Sequence, residues 1–209
     1  MNSKLSDYER LLRSWPGLTS RSAGDPHPLV EDSLVLLDHL GDADALLDVG
    51  SGGGMPGIPL KIARPELAVT LVEADRRKAA FLVHAAASLG LDVQVVAERA
   101  EVVAHGPLRE AFDTVTCRAL APMPVAAELC LPFARVGGRL LAMKTAGDET
   151  GGAFELLGGG PPRVVPAPTT AHARGVLVVV PKVSPTPSRY PRRPGLPDRR
   201  PLLSAAGNL

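Results

Sequence analysis

The chain has 209 residues, 45% of them hydrophobic, and 23 Lys and Arg stand against 22 Asp and Glu for a formal net charge of +1. That length and apolar content are enough for one complete core and exclude a disordered polypeptide, and no apolar run reaches the roughly 20 residues needed to cross a bilayer. The even mixture of signs says little about partners.

In chain order, MNSKLSDYERLLRSW mixes charges with apolar residues at helical spacing and lacks the uninterrupted apolar block of a secretory signal, so a cytoplasmic address is expected. Leu5 to Leu12 and Leu29 to Leu40 carry apolar residues three and four apart and read as two amphipathic helices. The Pro-, Gly- and Ser-rich stretch from Trp15 to Pro28 reads as the loop between them. From Ala43 onward, strand-length apolar runs alternate with helical segments. ALLDV, LAVTLVE, DVQVVA, FDTVTC, GGRLLAMK and VLVVVPK are strands, with helices over Pro59 to Arg64, Arg76 to Leu89 and about Val125 to Phe133. The alternation predicts an α/β protein with a Rossmann-like, mostly parallel sheet of seven strands and an N-terminal helical extension. The glycine-rich segment Thr145 to Pro162 predicts a short turn of helix or a loop. The expected division is 1–42 for the extension, 43–183 for the ligand-binding domain and 184–209 for a C-terminal tail.

The strongest local signal is Asp48-Val49-Gly50-Ser51-Gly52-Gly53-Gly54-Met55-Pro56-Gly57, directly after a strand and opening a helix. Glycines there, Gly52 among them, let the backbone approach a ligand where a Cβ would intrude. Gly52, Gly54 and Gly57 also satisfy the G-x-G-x-x-G dinucleotide pattern. Asp48 makes the segment D-x-G-x-G-x-G, which resembles the first motif of S-adenosylmethionine-dependent methyltransferases. An acid at that point accepts hydrogen bonds from the methionine end of that cofactor, whereas it would repel a pyrophosphate. Glu73 closes the second strand, where a carboxylate can accept both ribose hydroxyls.

Cys117 and Cys130 form no Cys-x-x-Cys pair, and the five histidines are scattered, so neither a disulfide framework nor a metal site is expected. Cys117 as a nucleophile for cytosine methylation is the competing chemistry; its place inside an apolar strand favours a small buried side chain instead. From Lys182 to Arg200 the chain carries Lys182, Arg189, Arg192, Arg193, Arg199 and Arg200 with five prolines between them. Such a stiff basic tail is either a solvated terminus or an arm that tracks phosphates, with Arg192 and Arg193 as candidate RNA contacts and Tyr190 beside them as a stacking platform or a buried anchor.

Taken together, EDSLVLL, LLDVGSGGGMPGIPLKIARPEL, Arg99-Ala100-Glu101, CRALAPM, AMK and SRYPRRPGLPDRRPL resemble the RsmG (GidB) family. That resemblance implies a class I methyltransferase fold and methylation of N7 of a guanine in the 530 loop of 16S ribosomal RNA. It also implies S-adenosylmethionine as cofactor, the RNA or the small ribosomal subunit as partner, and a monomer without metal. It places Gly50, Met55, Ala100, Glu101 and Arg118 around the cofactor, with Glu73 on the ribose. Arg118 and Lys144 become positioning candidates, Lys144 toward an RNA phosphate or the target base. Three departures from the family pattern stand out: Leu29 occupies the place of a histidine before Asp32-Ser33, with His27 two residues upstream, Thr145 replaces a glycine after Lys144, and the glycine-rich stretch that follows shortens or loosens a helix. The alternatives are a methyltransferase of the same fold acting on a small molecule or another RNA, and a non-catalytic RNA-binding protein.

Overall fold

A computed structural model describes residues 3–15, 18, 25–148 and 151–203. Parts of the expected Trp15 to Pro28 loop, of the glycine-rich segment and of the tail end therefore lie outside the described residues. Seven strands form one sheet: β1 (Ala45–Val49), β2 (Ala68–Val72), β3 (Val93–Val96), β4 (Phe112–Arg118), β5 (Ala134–Thr145), β6 (Arg163–Pro166) and β7 (Gly175–Pro181), in the order β3-β2-β1-β4-β5-β7-β6. β1 to β5 are mutually parallel, and β7 runs antiparallel to both β5 and β6. The chain winds outward from β1 to β3 and then restarts at β4 on the other side of β1. The carboxyl ends of β1 and β4 thus flank the crevice where open α/β sheets place ligands.

The helices are α1 (Ser3–Ser14), α2 (His27–Leu34), α3 (Leu37–Leu40), α4 (Gly57–Ala63), α5 (Arg76–Leu89), α6 (Ala100–Val103), α7 (Met123–Cys130) and α8 (Leu196–Arg199). Helix α5 is bounded by its own chemistry: Asp75 accepts from the amides of Arg77 and Lys78 at 2.8 and 3.1 Å, and Gly90 closes the helix in a left-handed conformation at φ 58°. The expected helix over Leu29 to Leu40 is two helices. At the joint the Leu36 amide bonds to Ser33 O at 3.4 Å and the His39 amide to Leu36 O at 2.9 Å, three-residue bonds that tighten the turn and re-aim α3. The seventh strand, RVVP, had no expected position; it is a short edge strand ending in Pro166, too brief and too exposed to show an apolar run. Among the described residues of the glycine-rich segment there is a single 3-10 turn, Glu155–Leu157.

Both sheet faces are covered. On one, Leu47, Val49, Val115, Leu140 and Ala142 pack with α6, α7 and Phe133; on the other, Leu46, Leu71 and Leu141 pack with Tyr8, Ile58 and Phe81 from α1, α4 and α5. Neighbours on one strand go to opposite faces, which is why β1 and β5 read as continuous apolar runs. The N-terminal helices belong to the second core, where Tyr8 is fully buried and its hydroxyl donates to Gly53 O.

Residues 184–203 lie against the domain. Tyr190 is 6% exposed and joins the first core, so it is a buried anchor and not a stacking platform. Arg109 on the domain clamps the backbone carbonyls of Thr186 at 2.6 Å and Tyr190 at 2.9 Å. Lys182, 1% exposed, is likewise internal, bonded to Leu131 O and paired with Glu110 at 3.3 Å.

Candidate active site

The glycine loop leaves β1 and crosses the end of β2, where the amides of Gly50 and Ser51 both donate to Val72 O, at 2.8 and 3.1 Å. Gly52 has φ +57°, and a Cβ built on it would meet nothing nearer than Gly50 O at 3.8 Å, so the protein itself leaves that space open. Gly57 has the opposite reason. A Cβ there would lie 2.4 Å from Leu71 Cδ2 and 3.1 Å from Asp48 Oδ2, because α4 packs directly on the strands.

Asp48 is fully buried under this loop; its Oδ2 accepts from the Gly57 amide at 3.1 Å, and its Oδ1 is buried with no partner among the described residues. Burial pushes its pKa up to about 7, with the Gly57 hydrogen bond and the Arg118 charge acting in the opposite direction. A buried carboxylate oxygen without a donor calls for one from the ligand, which suits the ammonium at the methionine end of S-adenosylmethionine. Glu73, 7% exposed, bonds to the Gly52 amide through Oε2 at 2.7 Å and to the Asp75 amide through Oε1 at 2.8 Å. The second strand's acid thereby shapes the glycine loop as well as facing the ligand space.

Two cavities meet at this edge. The smaller, about 280 Å³, has walls that include Glu73, Ala100, Glu101 and Asp198; the larger, about 840 Å³, runs past Gly52, Met55, Arg118, Lys144 and His172. They share Gly50, Lys78, Ala119 and Ala121. One elongated ligand can therefore lie with its ribose and base in the small cavity and its other end at the mouth of the large one. Asp48 lines neither wall and lies buried beneath the loop.

Arg118, at the carboxyl end of β4, bridges to α2: its Nη1 donates to Leu29 O at 2.8 Å, lies 3.6 Å from Asp32 Oδ2 and reaches Met55 Sδ at 4.0 Å. Its side chain is 12% exposed, and burial lowers its pKa against the opposing pull of Asp32. Lys144 donates to Ala121 O while lining the large cavity. Glu101, 3% exposed, accepts from Arg99 at 2.5 Å and from the Gly195 amide at 3.0 Å; burial acts to raise its pKa, but these donors hold it below the usual carboxylate range. The tail thus reaches the cofactor side of the molecule.

Arg192 and Arg193 part company. Arg192 is paired with the fully buried Glu128, through Nη2 to Oε2 at 2.6 Å and Nε to Oε1 at 2.8 Å, so this guanidinium ties the tail to α7 with its side chain 20% exposed; Arg193 is exposed. Cys117 is 1% exposed inside β4 and lines neither cavity, which removes it from reach of a substrate; burial also raises the thiol pKa of its neighbour Cys130. His27 binds Glu9 at 2.6 Å and Glu31 at 3.3 Å, joining α1 to α2 outside the cavity wall. Asp32, Lys78, His172 and Asp198 line the cavities without having been singled out as site residues. Asp32 stands in the EDSLVLL segment and Asp198 in SRYPRRPGLPDRRPL, but neither segment showed that these acids reach the cavities; Lys78 and His172 are brought in by folding from positions with no motif.

A seven-stranded sheet in this order, with a glycine loop after β1 and an acid after β2, defines a class I S-adenosylmethionine-dependent methyltransferase. Comparisons agree with the fold: Rv0187 from MTB, solved cofactor-bound, superposes with a TM-score of 0.63 at 19% identity over 88% of this chain and 92% of its own. The 16S rRNA N2 G1207 methyltransferase (RsmC) of T. thermophilus, solved with AdoMet and guanosine, gives 0.52 at 19% identity over 80% of this chain and 41% of its own. The family model for rRNA small subunit methyltransferase G (GidB) matches residues 1–152. A protein of Roseiflexus sp. (strain RS-1) named ribosomal RNA small subunit methyltransferase G is 45% identical over 93% of this chain and 89% of its own length, and one of Chloroflexus aggregans with the same name is 46% identical over 82% and 75%. The chain belongs to the rRNA small subunit methyltransferase G family.

Proposed function

We propose that this chain methylates N7 of a guanine in the 530 loop of 16S ribosomal RNA. The observation that supports the reading is the junction of the two cavities at Gly50 and Ala119, a smaller one beside Glu73 for the cofactor and a larger one lined by Arg118 and Lys144 for a base. Asp48 and the glycine-loop amides would hold the methionine end, Glu73 the ribose hydroxyls, and Ala100 and Glu101 the adenine. When bound, the cofactor would supply an electrophilic sulfonium methyl, and the free lone pair of guanine N7 would need no proton removed before accepting it. The chain's work is therefore alignment: Arg118, fixed on Leu29 and Asp32, and Lys144, fixed on Ala121, form a rigid polar wall against which an unstacked base can be held. Arg193, Arg199 and Arg200 supply exposed cations for the RNA backbone.

The test is transfer of labelled methyl from S-adenosylmethionine to small-subunit particles from cells lacking this gene, with mass-spectrometric mapping. A single N7-methylguanosine in the 530 loop is expected. Cofactor binding without labelled RNA would sink the RNA reading and favour a small-molecule substrate, whereas no cofactor binding would favour an RNA-binding protein without catalysis.

A further inference from the structure

The large cavity contains an imidazole that the alignment described above does not use. His172 lies in the loop between β6 and β7, lines the cavity, and places Nδ1 3.2 Å from Asp32 Oδ2. Asp32 is 3% exposed, and its other oxygen accepts from Thr169 Oγ1 at 2.7 Å. Thr169 Oγ1 in turn accepts from the His172 amide at 3.1 Å, and the Thr169 amide donates to His172 O at 3.0 Å. One buried carboxylate therefore orients both His172 and Arg118, each approaching the same Oδ2. His172 Nδ1 faces this carboxylate, so Nε2, on the far side of the ring and with no partner among the described residues, is left open on a side chain that is 41% exposed. A buried carboxylate against one nitrogen of a cavity-lining histidine leaves the second nitrogen for a ligand.

We propose that His172 is a specificity-determining residue that accepts a hydrogen bond from N1–H on the Watson–Crick edge of the target guanine; this rests on the reading of the chain as a guanine-N7 methyltransferase. N7 and N1 lie on opposite edges of a purine, so a base with N7 at the methyl donor is held from the N1 side by the chamber wall. At that position guanine offers N1–H as a donor, whereas adenine has a bare lone pair at N1 that an Nε2 acceptor repels. Methylation places positive charge on the ring and makes N1–H more acidic, so the hydrogen bond to Nε2 strengthens toward the transition state while the proton stays on the base. Asp32 acts through His172 and Arg118 as their positioning residue.

The experiment is single-turnover methyl transfer to small-subunit particles carrying guanine or adenine at the target position, with wild type, His172→Ala and His172→Gln, alongside cofactor titrations and thermal melts. His172→Ala should slow transfer to guanine by roughly tenfold to a hundredfold, leave cofactor affinity and melting temperature in place, and narrow the guanine-over-adenine ratio. His172→Gln, which can present an amide oxygen, should recover part of the rate. Unchanged rate and base ratio in a folded His172→Ala overturn the proposal, as does a loss fully matched by lost cofactor affinity. Wild-type protein that makes no N7-methylguanosine would instead overturn the functional reading beneath it.

Discussion

At the scale of single residues, two glycines of one loop are required for different reasons, and substitution separates them. Gly52→Val enters space that the protein leaves open, at a backbone φ of +57° that costs about 1–2 kcal/mol for a side chain. It should fold with a modest loss of stability and fail to bind S-adenosylmethionine in a titration; retained affinity in a folded variant would remove the loop from the cofactor site. Gly57→Ala drives a methyl into Leu71 and Asp48 and should lower the melting temperature more than Gly52→Val does. Asp48 makes a prediction about pH. Its ordinary pKa of 3.8 is raised to about 7 in the fold, so between those values the folded chain holds a proton that the unfolded chain has lost. Stability of the cofactor-free protein should therefore fall as pH rises from about 4 to about 7 and then level off, and Asp48→Asn should flatten that slope in thermal melts. A cationic amine arriving beside Asp48 favours the ionised carboxylate. Binding should release close to one proton at pH 6 and little at pH 8, measured by calorimetry in buffers of different ionisation enthalpy; proton release that is equal at both would separate the cofactor from Asp48.

At the scale of elements, the tail is a strap held by Arg192 on Glu128, Arg109 on three carbonyls, and the Gly195 amide on Glu101. Arg192→Ala leaves the Glu128 carboxylate, fully buried, without its cation and should cost about 3 kcal/mol in urea unfolding, whereas the pair replaced by Leu at both positions should recover most of that loss. Removing residues from Ser188 onward should lower both stability and cofactor affinity, because it takes away the Glu101 contact and the Asp198 wall of the small cavity. Cofactor affinity left intact by that truncation would return the tail to a role on RNA alone. The sheet strands and α5 were legible because apolar runs, a capping Asp75 and a closing Gly90 are local signals. The division of α2 from α3, the edge strand β6 and the seating of the tail were not. Each depends on what a segment packs against, and a run such as SRYPRRPG reads as exposed until Tyr190 finds a core.

At the scale of the whole molecule, the formal charge of +1 hides a sorting of cations by folding. Lys182 and Arg192 are paired inside, while Arg193, Arg199 and Arg200 remain exposed. Replacing those three exposed arginines with Glu should weaken RNA binding and reduce the slope of log affinity against log salt by about 2–3, with cofactor affinity unchanged. A slope identical to wild type would remove these arginines from the interface.

The amino-acid sequence by itself determined the α/β winding, the glycine loop after β1, and the acids Asp48 and Glu73 that belong to it, because each rests on short-range pattern: apolar periodicity, backbone access at glycine, and an acid at a strand end. Which distant side chains share the chamber was decided only by the tertiary structure. Asp32 and Arg118 are 86 positions apart and Asp32 and His172 are 140 apart in the numbering, yet one buried carboxylate oxygen lies 3.6 Å from the first and 3.2 Å from the second. Sheet order brings the end of β4 and the β6–β7 loop to the same edge, and burial, which no local pattern encodes, makes Asp32 hold both.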